Sequence, residues 1–253
     1  MQPRGGRTRI ATLRQQGSLK ALFPHGRTAR MQAVFLNTGG GVTGGDRFSL
    51  GAGVAADGQL CMTSQAAERI YRAQPGEVGR VSTRLTVDAG ASLHWLPQET
   101  IVFEGAALER RIEADVDAGG ELLAVEPLIF GRAAMNEVVR NARIEDRWRI
   151  RRDGRLVFAD TLRLRGDIDA LLQRPGVAAG GRAMATLLLV RPNAGDMADR
   201  LRAVLGGQGA CSAIRDGVLL ARIVAEDGFF LRRALIPAIR LLTGGDLPRP
   251  WML

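Results

Sequence analysis

The stretch Leu36-Asn37-Thr38-Gly39-Gly40-Gly41-Val42-Thr43-Gly44-Gly45-Asp46-Arg47, here called the glycine loop, holds five glycines in seven positions. Glycine loses much backbone entropy on folding and buries no side chain, so this stretch cannot form a stable helix or a well-packed strand. Such a sequence suits a backbone that needs positive φ or that another segment must approach closely. The apolar residues 31–36 before it and the alternating residues 47–50 after it predict two strands joined by this turn.

The glycine loop does not fit the known phosphate-binding patterns. A P-loop requires a Lys and a Ser or Thr directly after its last glycine, whereas Asp46 and Arg47 follow here. The dinucleotide fingerprint requires a helix after the loop, and no helical period follows. We therefore interpret the loop as a structural turn or a contact surface.

A repeated frame runs through the first two thirds of the chain. In residues 54–60, 87–93 and 116–122 a Val is followed four positions later by Gly or Ala and six positions later by Leu. Residues 150–156 repeat the frame with Ile in place of Val, and residues 13–19 form a weaker copy. Each unit predicts two short strands around a tight hairpin or bend. Units of this length stack so that each covers the next one's apolar face.

The predicted fold is therefore mostly β, a layered, β-helix-like stack of strands, with two or three helices in the C-terminal third. The alternative is a plain β-sandwich in which similar turns recur. Residues 193–196 can cap a helix that closes at Gly206-Gly207, and a second amphipathic helix runs from Gly228 to about Leu242 through Pro237. We expect one domain over 1–253, comprising a β-stack over about 8–165, a mobile loop over about 166–182 and a mixed part over about 183–253.

Composition narrows the function classes. The chain has 253 residues, 46% hydrophobic and 24% charged, and no apolar run approaches the roughly 20 residues of a membrane span. Cys61 and Cys211 lie far apart, and the N-terminus lacks a signal peptide, so we expect a cytoplasmic protein.

The net charge of +9 comes almost entirely from arginine. A solvated arginine surface, docking on acidic protein partners, and a basic β-rich module that binds nucleic acid all remain open.

The residues for metal capture or catalysis are sparse. His25, His94, Cys61 and Cys211 are not neighbours in sequence, so we expect no tight metal site and no bound cofactor. No nucleophile elbow or zinc-protease motif is present, and we expect no enzyme activity. Several carboxylates, however, lie in apolar strands, where burial is costly unless they are paired or line a polar passage. These carboxylates are Glu68, Glu99, Glu104, Glu126 and Asp160, and Asp46 of the glycine loop is a sixth candidate.

Five segments, in order, resemble the urease accessory protein UreD family, called UreH in some systems. They are the glycine loop with its signature residues Gly40, Gly41, Gly44, Gly45, Asp46 and Arg47, then 64–72 (SQAAERIYR), 96–101 (LPQETI), 146–148 (DRW) and 247–251 (LPRPW). The resemblance implies a β-rich maturation factor that binds apo-urease and contacts UreF directly. Through UreF it joins the GTPase UreG, and the complex delivers Ni²⁺ to the urease active site by an internal channel.

Roles for particular residues follow from this resemblance. Gln65, Tyr71 and Arg72 are candidate partner contacts. The six carboxylates above are candidates for the nickel path, where oxygen ligands would hold a cation in transit weakly. Ion pairing with the many arginines is the alternative for each carboxylate. The resemblance implies neither a nucleic-acid nor a membrane partner.

Overall fold

The computed structural model describes residues 1–25 and 30–252. Its strands are β1 (Gln2–Arg4), β2 (Arg7–Arg9), β3 (Leu19–Leu22), β4 (Met31–Asn37), β5 (Arg47–Val54), β6 (Gln59–Ser64), β7 (Glu68–Ile70), β8 (Gly79–Val87), β9 (Ser92–Trp95), β10 (Thr100–Val102), β11 (Ala107–Val116), β12 (Glu121–Phe130), β13 (Ala142–Arg152), β14 (Arg155–Gly166), β15 (Ala183–Val190), β16 (Gly209–Arg215) and β17 (Val218–Ala225). Its helices are α1 (Ile168–Gln173), α2 (Ala198–Leu205) and α3 (Gly228–Thr243).

The chain winds in coils between two large sheets. The five-stranded sheet has the order β14-β13-β11-β8-β5, and the path through the ten-stranded sheet is β16-β17-β15-β12-β9-β6-β4-β3. Successive coils pair in parallel, β5 with β8 and β8 with β11 in one sheet, and β6 with β9 and β9 with β12 in the other. This stacking of coils confirms the predicted layered architecture in place of the plain sandwich.

The repeated frame marks the corner at which each coil passes from the five-stranded to the ten-stranded sheet. Val54 pairs with Val87 and Val87 with Val116, while Leu60 pairs with Leu93 and Leu93 with Leu122. At each corner one residue has positive φ, namely Asp57, Gly90 and Gly119, each three positions after the Val. The first three predicted copies are therefore bends between stacked coils.

The copy predicted at 150–156 is different. There two consecutive residues, Asp153 and Gly154, have positive φ. The chain turns back at this point, so that β14 runs antiparallel to β13 in the same sheet. Two left-handed residues in a row make the tight turn of a β-hairpin, whereas one redirects the chain at a corner. The weaker copy of the frame at residues 13–19 is not a bend between stacked coils either, because the strand that follows it, β3, is antiparallel to β4.

A third, narrow side closes each coil. Val42 of the glycine loop forms a parallel bridge with Ile70, Ile70 pairs with Val102, and Val102 pairs with Phe130. All four side chains are at most 2% exposed. The glycine loop is therefore the corner of the first coil, which joins β4 to β5 across this ladder.

The C-terminal part covers the outer face of the ten-stranded sheet. The apolar side chains of α2 and α3, including Leu201, Leu235 and Ile239, form one core cluster with those of β15 and β17. The two other clusters lie between the sheets. Helix α3 continues through Pro237, and its N-terminal cap is Asp227, whose carboxylate accepts from the Phe230 amide at 3.0 Å.

Two local predictions differ from the structure. Asn193 does not cap α2 with its side chain; it is left-handed and precedes a 3₁₀ turn, and α2 begins at Ala198 with no side-chain cap. Residues 166–182 are not a plain loop, since α1 lies there with Ile168 and Leu172 buried. The periodic apolar pair Ile168 and Leu172 explains this short helix, which Asp167 caps by accepting from the Ala170 amide at 2.9 Å.

We predict that Leu93→Ala will destabilise the fold strongly, because Leu93 is fully buried between Leu60 and Leu122 of the adjacent coils. A cost of about 2–5 kcal/mol is expected from the lost contacts and the cavity left behind. Leu156→Ala is the matched control, since Leu156 holds the same place in the unstacked fourth frame and is 43% exposed. Its effect should stay within about 0.5 kcal/mol. Urea denaturation of both variants measures the difference, and equal shifts would contradict the stacking of the frame.

Candidate functional site

A cavity of about 70 Å³ lies between the two sheets. Apolar side chains such as Phe35, Phe48 and Leu108 form much of its wall. Both sheets and the segments that join the coils contribute its polar lining. The polar residues are Ser64, Glu68, Thr83, Gln98, Thr100, Arg110 and Glu126. Oxygen atoms that could ligate a cation thus face one cavity in an otherwise apolar core. Two of the predicted path carboxylates, Glu68 and Glu126, both line it.

Glu68 is the cavity carboxylate without an ion pair among the described residues. Its Oε1 accepts from Asn37 Nδ2 at 3.3 Å, and the same amide nitrogen donates to the Gly41 carbonyl at 2.7 Å. Burial raises the pKa of Glu68, and the hydrogen bond from Asn37 opposes the rise only in part. Asn37 therefore ties this carboxylate to the glycine loop.

Glu126 belongs to a buried charge cluster. Arg110 Nη1 lies 2.5 Å from Glu126 Oε2, and Arg110 Nε and Nη2 donate to the two oxygens of Asp146 at 3.0 and 2.7 Å. Trp95 Nε1 donates to Glu126 Oε1 at 2.7 Å, and Arg110 Nη1 also donates to Thr100 Oγ1 at 3.1 Å. Burial raises the pKa of Glu126 although Arg110 opposes it. Two carboxylates thus compensate the one guanidinium.

The other four candidate carboxylates do not line the cavity. Glu99 is buried and pairs with Arg232 of α3 at 2.9 Å, so it ties a coil to the helical cover. Glu104 Oε2 accepts from the amides of residues 140 and 141 at 2.7 and 3.0 Å. Asp160 pairs with Arg222 of β17. Asp46 Oδ2 accepts from the Thr43 amide at 2.9 Å and closes the glycine loop.

The glycine loop packs against residues 69–72 more closely than any side chain would permit. A Cβ at Gly41 would lie 2.6 Å from the Arg69 carbonyl and 2.3 Å from the Tyr71 ring, and one at Gly44 would lie 2.6 Å from Glu77 Cβ. The Val42 amide donates to the Arg69 carbonyl, and the Tyr71 amide donates to the Val42 carbonyl, both at 2.8 Å. Close approach of two backbones therefore accounts for these glycines.

The three candidate partner contacts are all exposed. Tyr71 is 37% exposed, its hydroxyl donates to the Gly40 carbonyl at 3.2 Å, and its ring meets Phe103 edge-on at 5.2 Å. Arg72 follows it in the chain, and its carbonyl accepts from Thr43 Oγ1 of the glycine loop at 2.9 Å. Gln65 lies at the end of β6, where its amide donates to the Phe35 carbonyl at 2.8 Å.

His94 is a packed strand residue on the opposite face of the ten-stranded sheet. It is 1% exposed, and its Nε2 lies 3.0 Å from Glu121 Oε1. Burial lowers the pKa of His94, so the neutral ring donates its Nε2 proton to the carboxylate. Burial alone would raise the pKa of Glu121, but hydrogen bonds from His94, Arg191 and Ser92 lower it to about 2. These hydrogen bonds connect β9 and β12 to Arg191, the residue that follows β15.

Neither Arg110 nor Asp146 is among the site residues predicted from the sequence, where Asp146 appears only within the segment 146–148. Leu108, Ile112, Ala114 and Val116 alternate toward the interior of β11, and this period of two places Arg110 on the same inward face. The signal was therefore present in the pattern. The partner Asp146 lies directly across the parallel β11–β13 ladder from Arg110, and that register is a long-range property.

No described residues form a group of three or more His, Cys, Asp or Glu side chains placed to hold a metal ion. Within the described part of the chain, the helices are too short or too polar to cross a bilayer. The fold and cavity thus define a class of protein, a stacked-coil β protein with a helical cover and a small, mostly apolar cavity that holds two carboxylates.

Comparison with known proteins gives the family. Residues 1–252 match the family model described as UreD urease accessory protein. The chain is 48% identical over 241 residues to the urease accessory protein UreD of Ruegeria pomeroyi, covering 95% of this chain and 94% of the relative. It is 46% identical over 248 residues to that of Roseobacter denitrificans, covering 98% and 90%. It is 43% identical over 257 residues to UreD 1 of Brucella abortus, covering 100% and 91%. The chain belongs to the UreD family of urease accessory proteins.

We predict that Glu121 contributes to stability in a pH-dependent way. Its folded pKa of about 2 lies below the roughly 4.3 of an unfolded Glu, so its contribution is present above about pH 4.3 and is lost as the pH falls toward 2. Glu121→Gln should therefore lower Tm at pH 7, and its deficit against the parent should shrink by pH 3. The control, Glu113→Gln, removes an exposed pair with Arg84. A Glu121→Gln deficit that stays constant across this range would contradict the assignment.

Proposed function

We propose that this chain is a non-catalytic scaffold for urease maturation that binds apo-urease and, with UreF and the GTPase UreG, helps deliver Ni²⁺ to the urease active site in the cytoplasm. Membership of the UreD family supports the role in maturation. The cavity between the sheets, with Glu68 and Glu126 in its wall, is the observation that supports a path for the cation. We further propose that this cavity is one section of that path.

The chemistry of the cavity suits passage better than capture. Ni²⁺ is held tightly by imidazole and thiolate, whereas carboxylate, amide and hydroxyl oxygens bind it more weakly. Ser64, Glu68, Gln98 and Glu126 offer only such oxygens. Weak sites are required if a cation is to leave as readily as it enters.

The buried arginine does not oppose this path. An unpaired guanidinium would repel a divalent cation strongly in a low-dielectric interior. Here Glu126 and Asp146 neutralise Arg110, and the triad as a whole carries no excess positive charge. Glu68 forms no ion pair among the described residues, although the charge of Arg69 acts on it, and it is the group that we propose as a ligand of the cation.

The path hypothesis predicts that Glu68→Gln will slow nickel loading. The substitution removes the ligating charge but keeps the size and the acceptor for Asn37, so the fold should be retained. With limiting Ni²⁺, we expect urease activation to fall several-fold while the variant still co-elutes with its partners. Glu226→Gln is the control, because Glu226 is exposed and lies outside the cavity. Activation equal to that of the parent would remove Glu68 from the path.

Glu126→Gln is a less clean test. Removing one partner of a buried ion pair leaves an uncompensated charge and typically costs about 3–5 kcal/mol. A loss of activation in that variant would therefore reflect stability as well as transport. Glu99, Glu104 and Asp160, whose contacts are structural, should affect assembly or stability before they affect loading.

The scaffold role itself is tested by co-expression. We expect the tagged chain to pull down UreF and apo-urease, and UreG only when UreF is present. The purified chain alone should show no GTP hydrolysis. Turnover by the isolated chain, or failure to retain either direct partner, would contradict the proposed function.

A further inference from the structure

The outer face of the five-stranded sheet carries most of the net positive charge of the chain. Side chains of its strands alternate, so that Leu85, Ile112 and Trp148 point into the core while their sequence neighbours point outward. The outward basic residues are Arg47, Arg80, Arg84, Arg111, Arg143, Arg147, Arg149, Arg151, Arg163 and Arg165. The outward carboxylates are Glu109, Glu113, Asp115 and Glu145.

Ten arginines against four carboxylates leave an excess of six positive charges on one face, from a formal net charge of +9 for the whole chain. Like charges at this density repel one another and raise the free energy of the isolated fold. The excess is concentrated on one face of one sheet, whereas a charge that served solubility alone would be spread around the molecule. This concentration indicates a surface that meets negative charge.

The ion pairs on this face fix part of the arginines and leave others open. Glu109 lies between Arg80 and Arg143 at 3.2 and 2.9 Å, and Glu113 pairs with Arg84 at 3.1 Å. Glu145 is covered by Arg147, Arg163 and Arg165. No carboxylate of the described residues lies within ion-pair distance of the remaining four, which are Arg47, Arg111, Arg149 and Arg151.

The pattern fits a protein partner better than a nucleic acid. Rows of carboxylate lie between the arginines, and a phosphate backbone laid across the sheet would meet Glu109, Glu113 and Glu145. None of the outward residues of β5, β8, β11 and β13 is aromatic, so the face offers no stacking platform for bases. Arginine is instead enriched at protein interfaces, where its planar fork binds carboxylates with two hydrogen bonds.

The size of the face is also that of a protein interface. Five strands about 4.8 Å apart and about eight residues of about 3.3 Å each give a surface of roughly 20 by 26 Å. Twice this projection of roughly 520 Å² is about 1,000 Å², which lies at the lower end of the total area that specific protein interfaces bury.

We propose that this outer face, the arginine face, is a docking surface for a protein surface rich in carboxylates, and that in the maturation complex this acidic surface belongs to the urease apoprotein. The choice of partner rests on the proposed function; the charge and chemistry of the partner follow from the face. Arg111 and Arg149 lie near its centre and bind carboxylates of the partner, while the paired arginines around them speed the encounter.

The test is a double charge reversal, Arg111→Glu with Arg149→Glu, in the full chain co-purified with UreF. Both residues are exposed and make no ion pair among the described residues, so the fold should tolerate the change. Binding to immobilised urease apoprotein is followed over a series of salt concentrations. We expect the association rate at low salt to fall about tenfold or more, and the parental rate to fall as salt rises.

Arg174→Glu with Arg200→Glu is the matched control, since both arginines are exposed outside the arginine face and the net charge changes by the same amount. It should bind like the parent. Parental binding by the Arg111/Arg149 variant would overturn the inference and leave the proposed function standing, whereas failure of the parent to bind at all would contradict both. A DNA duplex that displaces the apoprotein from the parent but does not bind the variant would assign the face to nucleic acid and overturn the inference.

Discussion

The parallel, in-register pairing of successive coils is the constraint on which this structure depends. One buried position repeats in each layer, as in Leu60, Leu93 and Leu122, so each coil supplies the wall against which the next one packs. A slip of a single residue would turn these leucines outward and bring charged neighbours into the core. The single left-handed residue at each corner sets how far the chain advances before it re-enters the other sheet.

Polar groups occupy a few of these inward positions, and there the stacking rule creates a site. Arg110 holds an inward position of β11 that would otherwise belong to an apolar residue, and the ladder to β13 brings Asp146 directly opposite. Glu126 completes the compensation from the other sheet. A buried cation is tolerated only when its partners are this close, so the triad and the cavity beside it depend on one register.

The periodic features of the fold could be predicted from the sequence, whereas most long-range contacts could not. The frame starting at residue 54, the glycine corner and α3 follow from local spacing. The frame at 150–156 has the same apolar spacing, but Asp153 and Gly154 both become left-handed and reverse the chain. Inspection of single strands found Glu68 and Glu126. The partners of Glu99 and Asp160, namely Arg232 and Arg222, lie 133 and 62 residues away, and local patterns contain nothing about such distances.

One strand, β11, serves both the interior and the surface. Arg110 points into the stack and pairs with two buried carboxylates, while its neighbours Glu109 and Arg111 point outward onto the arginine face. Because the period of a strand is two, the register that places the cavity charges also places the surface charges. A partner docked on the arginine face would therefore contact the same strands that line the cavity. Rigid parallel pairing, rather than a moving element, would then hold the partner and the interior in fixed relation.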